Sequence, residues 1–92
     1  MRMEITNTTS FLWNTPFSLS IGITGYAGQT TSMEYFHGGD DEDRGDDLNW
    51  TLIDGTEATD NFQEVMKPSA KELRVRVENP STALIVTLKR KV

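Results

Sequence analysis

Two segments decide the fold of this 92-residue chain, Phe17-Ser-Leu-Ser-Ile-Gly-Ile-Thr24 and Leu73-Arg-Val-Arg-Val77. In both, apolar residues occupy every second position, and small, hydroxyl or charged residues stand between them. A period of two residues is typical of a β-strand that buries one face and exposes the other. The two segments therefore predict strands of a half-buried sheet, with Arg74 and Arg76 on its outer face.

Further strands are predicted on either side of these segments. Residues 83–88 are apolar at nearly every position, which indicates burial on both faces or a strand edge covered by a partner. Because Pro80 cannot donate to a ladder, we expect a turn at 78–81 and a hairpin between 73–77 and 83–88. Shorter strands rich in Thr, aromatic and β-branched residues are predicted at 3–6, 31–36 and 49–53.

The segment Asp60-Asn-Phe-Gln-Glu-Val-Met-Lys67 is compatible with one helical turn or with a strand. Asp60 and Gln63 resemble a capping box, but Pro68 ends any helix within about two turns. Six or seven short strands and no long helix predict an all-β fold. We expect residues 1–92 to form one small antiparallel β-sandwich, Ig-like or jelly-roll-like, with at most one short helical turn.

Composition excludes several classes of function. The chain has no cysteine and one histidine, which leaves no thiol nucleophile or thiolate metal site and little material for an enzyme. A net charge of −5 disfavours nucleic acid, and no apolar run approaches the ~18 residues that cross a bilayer. Because the N-terminus has no signal-peptide pattern, we expect a soluble protein of the producing cell's cytoplasm or of a virion, without membrane insertion.

Charge is divided unevenly along the sequence. Residues 1–66 contain twelve acidic and two basic residues, net −10, whereas residues 67–92 contain seven basic and two acidic residues, net +5. The run Asp40-Asp-Glu-Asp-Arg-Gly-Asp-Asp47 repels itself and predicts an exposed, solvated acidic loop at 38–48. We expect the basic part to lie beside this loop in one molecule or to meet the loop of a neighbouring copy.

The acidic loop is also a candidate calcium site. Ca²⁺ takes about six to eight oxygen ligands, and carboxylates two positions apart on a turn can converge on one ion. The spacing departs from the EF-hand, because Gly45 stands where the fifth position, counted from Asp41, requires an acid or an amide. The candidate Ca²⁺ ligands are Asp41, Asp43, Asp46 and Asp47, and a mobile loop without metal is the alternative.

Aromatic residues provide a second candidate binding surface. Trp50 is expected in the core, whereas Trp13 precedes a strand and either caps one end of the sandwich or stacks on a sugar ring. Together with the acidic loop, an exposed Trp13 defines one possible function, a calcium-assisted carbohydrate- or receptor-binding module.

The leading expectation is a non-enzymatic structural or adhesive protein that assembles with itself or with other assembly proteins. The pattern from Phe62 through Glu72-Leu-Arg-Val-Arg-Val77 to the Pro-containing turn resembles the closing strands of bacterial and viral β-sandwich adhesion modules, which implies such an architecture. Strand-only patterning, few catalytic side chains and opposite charge on the two parts of the sequence favour a self-assembling virion or surface accessory component. The predicted interface residues are Phe11, Trp13, Arg74, Arg76, Leu84, Val86 and Lys89, with the charged ones meeting the acidic loop.

Overall fold

Eight strands form two four-stranded antiparallel sheets in the computed structural model, which describes residues 1–68 and 70–91. The strands are β1 (Arg2–Ile5), β2 (Thr9–Leu12), β3 (Ser18–Thr24), β4 (Thr30–Phe36), β5 (Trp50–Leu52), β6 (Phe62–Met66), β7 (Glu72–Glu78) and β8 (Leu84–Lys91). The first sheet has the order β1-β8-β3-β6, and the second sheet has the order β2-β7-β4-β5. The antiparallel all-β sandwich predicted from the sequence is confirmed, with eight strands.

The core lies between the two sheets, where the apolar faces of β3 and β7 meet. Leu19, Ile21 and Ile23 point inward from β3 and are at most 1% exposed, and Leu73 and Val75 of β7 are fully buried. Within the described part of the chain, every buried side-chain nitrogen or oxygen has a hydrogen-bond partner, so none opposes folding. The other core residues are Ile5, Phe11, Met33, Val77, Leu84, Val86 and Leu88.

The predicted hairpin between 73–77 and 83–88 is wrong. β7 pairs with β2 and β4 in the second sheet, whereas β8 pairs with β1 and β3 in the first. The chain crosses between the sheets after β7, at Asn79, whose φ of 55° lies in the left-handed region. Crossing places the apolar faces of two consecutive strands opposite each other across the core, whereas a hairpin would leave them side by side.

β8 is a central strand, and this position explains its apolar sequence without a partner. It lies between β1 and β3, so both of its backbone edges are paired. Leu84, Val86 and Leu88 are at most 1% exposed, while Ile85 and Thr87 on the outer face are half-buried.

One strand was not predicted from the sequence, and a second resolves a segment for which helix and strand were both open. β2 was not predicted, because only Phe11 of its four residues is buried and no alternation is visible over so short a segment. The ambiguous segment 60–67 forms β6, which pairs with β3 from Phe62 to Met66. Backbone hydrogen bonds to β3 outweigh the helical spacing, since Pro68 leaves room for little more than one helical turn.

In the part of the chain that the structure describes, helical structure is limited to two 3₁₀ helices, η1 (Asp41–Gly45) and η2 (Asp47–Asn49), in the connection between β4 and β5. From the sequence, a short helical turn was considered only at 60–67, where a strand was the alternative. Among residues 1–68 and 70–91, no helix has the length and apolar character needed to cross a membrane.

The connections gather at two opposite ends of the sandwich. One end, which we call the Trp13 end, carries the β2–β3, β4–β5 and β6–β7 connections and the last residues of β8. The other, the Asn79 end, carries the β1–β2, β3–β4, β5–β6 and β7–β8 connections. The acidic loop and the basic C-terminal residues of β8 therefore lie at the same end.

The burial of β8 predicts a large loss of stability on truncation of its inward side chains. Leu84→Ala should lower the free energy of unfolding by about 3 kcal/mol, because it removes buried methyl groups and leaves a cavity. Leu48→Ala, the same change at a side chain that is 83% exposed, should alter it by less than about 0.5 kcal/mol. Urea unfolding followed by far-UV circular dichroism measures both, and equal losses would contradict the assignment of Leu84 to the core.

Candidate functional site

The acidic loop packs on the outer face of the second sheet, where three arginines hold it. We call Arg44, Arg74 and Arg76 with their carboxylate partners the arginine clasp. Arg44 itself belongs to η1 and reaches down to the sheet: its Nε and Nη2 donate to the two carboxylate oxygens of Glu72, at 2.5 and 2.6 Å. Its Nη1 donates to Asp41 Oδ1 at 2.6 Å, so one guanidinium joins the loop to β7.

Arg74 is the buried member of the clasp. It is 7% exposed, and its Nε donates to Glu34 Oε1 at 2.6 Å while its Nη2 donates to Asp47 Oδ1 at 2.9 Å. The guanidinium carbon lies 4.5 Å from the centre of the Trp50 ring, within the range of a cation–π interaction. Arg76 adds longer contacts, 3.8 Å to Glu34 and 3.7 Å to Asp47.

Strand alternation explains why these residues meet. Leu73, Val75 and Val77 point into the core, so Arg74 and Arg76 point outward from the same strand. Arg74 stands directly opposite Glu34 of β4 in the antiparallel register, which brings the two side chains together on one face.

Hydrogen bonds inside the acidic loop fix its shape. The Asp43 carboxylate accepts from the backbone N–H groups of Gly39 and Asp40 at 2.9 and 3.0 Å, and the Asp46 carboxylate accepts from Leu48 N–H at 2.9 Å. Trp50 Nε1 donates to the Arg44 carbonyl at 3.1 Å and ties η1 to β5. These hydrogen bonds hold the loop against the second sheet, while most of residues 38–48 are exposed.

The structure does not bring the four candidate calcium ligands together around one point. Each of the four predicted ligands has a different partner: Asp41 bonds Arg44, Asp43 and Asp46 bond backbone N–H groups, and Asp47 bonds Arg74. Over residues 1–68 and 70–91, no group of three or more acidic or histidine side chains is arranged to hold a metal ion. Arginine supplies the positive charge that the acidic run requires.

The clasp shifts the pKa values of Asp47 and Arg44 in the direction of their charged forms. A hydrogen bond from Arg74 lowers the pKa of Asp47 below its ordinary value of 3.8, with a further coulombic contribution from the same residue. Hydrogen bonds to Glu72 and then to Asp41 raise the pKa of Arg44. Both groups therefore remain ionised over the neutral range.

The predicted interface residues fall into separate parts of the molecule. Phe11, Leu84 and Val86 have their side chains in the core, so the prediction that these side chains form an interface is wrong for the folded chain. Arg74 and Arg76 do meet the acidic loop, and the loop is that of their own chain. The side chain of Lys89 is exposed on the outer face of the first sheet.

The Trp13 side chain packs against the core at the end of the sandwich named after it and lines a shallow groove there. Its side chain is half-buried against the core, and its Nε1 donates to the Phe17 carbonyl at 3.0 Å. The groove has a volume of about 270 Å³, below the usual range for ligand pockets. Its lining residues are Trp13, Asn14, Thr15, Pro16, Pro68, Ala70 and Lys71.

Sequence reasoning missed Glu34, Glu72 and Arg44 as members of the site. Two of these three residues stand out in the sequence. Glu34 interrupts a strand of hydroxyl and apolar residues, and Arg44 is the one cation inside a run of six acids. Comparisons with protein-family models, curated proteins and solved structures found no match to this chain. A role must therefore be argued from the geometry of the chain itself.

The burial of Arg74 predicts that its removal costs more than an ordinary surface ion pair. Arg74→Met should lower the free energy of unfolding by about 3 kcal/mol, because it leaves the Glu34 carboxylate buried with one distant cation. Arg2→Met is the matched control, since Arg2 and Glu4 pair at 3.5 Å with both side chains more than 60% exposed. The double variant Arg74→Met/Glu34→Leu should recover part of the loss in chemical denaturation; no recovery would contradict the buried-pair argument.

The lowered pKa of Asp47 predicts loosening of the loop in acid. Its stabilising contribution is present above the ordinary pKa of 3.8 and disappears as the pH falls through the lower pKa of the folded state. Hydrogen exchange of the Leu48 and Asn49 amides should therefore accelerate, relative to the core, below about pH 4. Asp47→Asn should show fast exchange already at pH 7 and little further change in acid, and a wild-type response in this variant would contradict the assignment.

Proposed function

We propose that this protein is a non-enzymatic structural or adhesive building block that associates with itself through β2, the unprotected edge of the second sheet. Exposed strand edges present unpaired N–H and C=O groups that pair readily with another chain. The proposal is carried by one observation on the described residues. Of the four edge strands there, β2 is the one with more than three residues that has neither a charged residue nor a hydrogen bond to its outward backbone groups.

The other three edges carry features that block pairing. The outward backbone groups of β1 belong to Arg2 and Glu4, both charged and exposed. On β6, the Glu64 carboxylate accepts from the Val65 N–H at 3.1 Å and so occupies an outward donor. β5 has only three residues and is continued by Ile53, whose N–H donates to the Met33 carbonyl of β4. Charge, capping and short length are the usual protections of a sheet edge.

The backbone of β2 is free to pair on its outer side. Trp13 N–H donates to the Lys71 carbonyl just beyond the strand, which sets the alternation of the β2–β7 ladder. By this alternation Thr9 and Phe11 bond to β7, while the N–H and C=O groups of Ser10 and Leu12 point away from it. The Leu12 side chain beside them is 68% exposed and adds apolar surface to the edge.

Pairing of two β2 strands would join the two second sheets into one sheet of eight strands. An antiparallel pair of identical strands is related by a two-fold axis, the commonest symmetry of homo-oligomers. Phe11 lies in this edge and Trp13 lies beside it, so the proposed interface is in the region predicted from the sequence. The contact itself is made by the backbone groups of β2 and by the Leu12 side chain. A two-fold building block of this kind suits a virion or surface accessory component.

The absence of a deep pocket in the described residues supports a non-enzymatic role. Grooves there have volumes of about 250, 270 and 120 Å³, below the range of about 300–1,000 Å³ typical of small-molecule sites. The arginine clasp engages the loop of the same chain, and its charged groups already bond one another.

The proposed edge contact predicts a dimer that a single charge disrupts. Wild type should have twice the 10.4 kDa mass of one chain by light scattering at high concentration, and Leu12→Lys should be monomeric. A lysine on the edge opposes strand addition, while its position opposite Glu72 is compatible with the fold. Val65→Lys places the same residue on the edge of β6 and should leave the dimer intact.

The masses of wild type and variants are compared at two protein concentrations about a hundredfold apart. Circular dichroism verifies the fold of each variant. A wild type that is monomeric at both concentrations, or a Leu12→Lys variant that dimerises as wild type does, would overturn the proposal.

A further inference from the structure

A shallow dent lies in the outer face of the first sheet, over Gly22 of β3. Thr87 of β8 and Gln63 of β6 stand directly opposite Gly22 on its two sides, and Ser20 lies on the same face of β3. Because Gly22 has no side chain, its backbone forms the floor of the dent. Together with Lys89 these residues line a space of about 120 Å³, which we call the Gly22 dent.

Nothing in the described part of the chain requires a glycine at position 22. Its backbone has the ordinary negative φ of a strand, unlike that of Gly25, Gly28 and Gly55. A Cβ atom at Gly22 would meet the Phe62 carbonyl oxygen at 4.0 Å, an ordinary van der Waals distance. Glycine weakens the interior of a strand, and in such a position it often marks the close approach of a ligand. The missing side chain therefore points to a group from outside the chain.

The side chains around the dent carry hydrogen-bond donors that the chain itself does not use. Ser20 and Thr87 each have a hydroxyl, Gln63 has an amide and Lys89 has an ammonium. Within residues 1–68 and 70–91, none of these four side chains is in a hydrogen bond or an ion pair. Of the described residues that line the dent, none is acidic, whereas three glutamates line the groove on the second sheet.

The face around the Gly22 dent has an excess of positive charge. Among the described strand residues on the outer face of the first sheet, Arg2, Lys89 and Lys91 are cationic and Glu4 is acidic. The acidic loop packs on the outer face of the other sheet. Two stacked sheets lie about 10 Å apart, and the side chains on both outer faces take the distance beyond the screening length of about 8 Å. The dent therefore favours an anion.

We propose that the Gly22 dent binds one tetrahedral oxyanion, a phosphate or sulfate group, either as the free ion or as a monoester. Lys89 supplies the positive charge, and the two hydroxyls and the Gln63 amide donate to oxygens that point in different directions. A space of about 120 Å³ is below the range of about 300–1,000 Å³ for organic ligands, so the rest of an ester would extend into solvent. The site goes beyond the assembly role proposed above and lies on the sheet that does not contain β2.

Heteronuclear NMR titration of the full chain tests the site. The backbone amides of Gly22 and Thr87 should shift and reach saturation as sodium phosphate or sodium sulfate is added. Sodium chloride at the same ionic strength should not reproduce these shifts. Glucose 6-phosphate, with glucose as its neutral control, distinguishes the two sources of the group: shifts of the same amides support a site for monoesters, and shifts with the inorganic ions alone support a site for the free ion.

Three variants separate the dent from general surface charge. Lys89→Gln keeps the length of the side chain and removes its charge, and it should weaken binding by about tenfold. Lys91→Gln makes the same change on the same face of β8 outside the dent, and it should alter binding by less than about twofold. Gly22→Thr fills the dent with a side chain that suits a strand, and it should abolish binding without lowering the melting temperature.

Four outcomes would overturn the proposal. They are the absence of saturable shifts with both inorganic ions, equal shifts with chloride, equal weakening by Lys89→Gln and Lys91→Gln, and binding that survives in Gly22→Thr. Unfolding of Gly22→Thr would show that the fold itself requires the glycine and would also contradict the argument. Failure of the β2 interface is seen separately, because light scattering of wild type and Leu12→Lys does not depend on the oxyanion.

Discussion

The alternation of β7 is the constraint on which the rest of the structure depends. Leu73 and Val75 close the core on one face, and the same alternation forces Arg74 onto the other face, beneath a loop that leaves it 7% exposed. A guanidinium removed from water costs several kcal/mol unless carboxylates surround it. Glu34 and Asp47 supply that charge, so the sheet can bury Arg74 only while the acidic loop is docked.

The acidic loop in turn depends on this arginine and on its neighbours. Six carboxylates within eight residues repel one another, and a loop of that kind is normally hydrated and mobile. Arg44 and Arg74 bridge it to the sheet through short contacts to Glu72 and Asp47. Charge repulsion within the loop and desolvation of the arginines are each unfavourable alone, and docking relieves both at once.

The sequence predicts individual strands better than it predicts which strands pair and which side chains they bring together. β3 and β7 follow from the period of two, because burial of one face acts on each residue separately. Which strands pair depends on the whole fold, so the local pattern predicts one hairpin for the consecutive segments 73–77 and 83–88, although their strands belong to two sheets. The arginine clasp is harder to predict from the sequence, because Arg44 and Glu72 are 28 positions apart. They meet only because the β4–β5 connection folds over β7. A dense acidic run is equally consistent with binding of calcium, with exposure to solvent and with pairing to arginines. Only the strand register, which places Glu34 opposite Arg74, favours pairing to arginines.

The proposed β2 contact and the arginine clasp lie next to each other on the second sheet. Leu12 at the edge stands opposite Glu72, the carboxylate to which Arg44 donates. A two-fold axis that pairs two β2 strands therefore brings the acidic loops of both copies near the shared edge. By holding its own loop on the sheet through Glu72 and Arg74, each copy limits the repulsion that two mobile polyanionic loops would add to the contact.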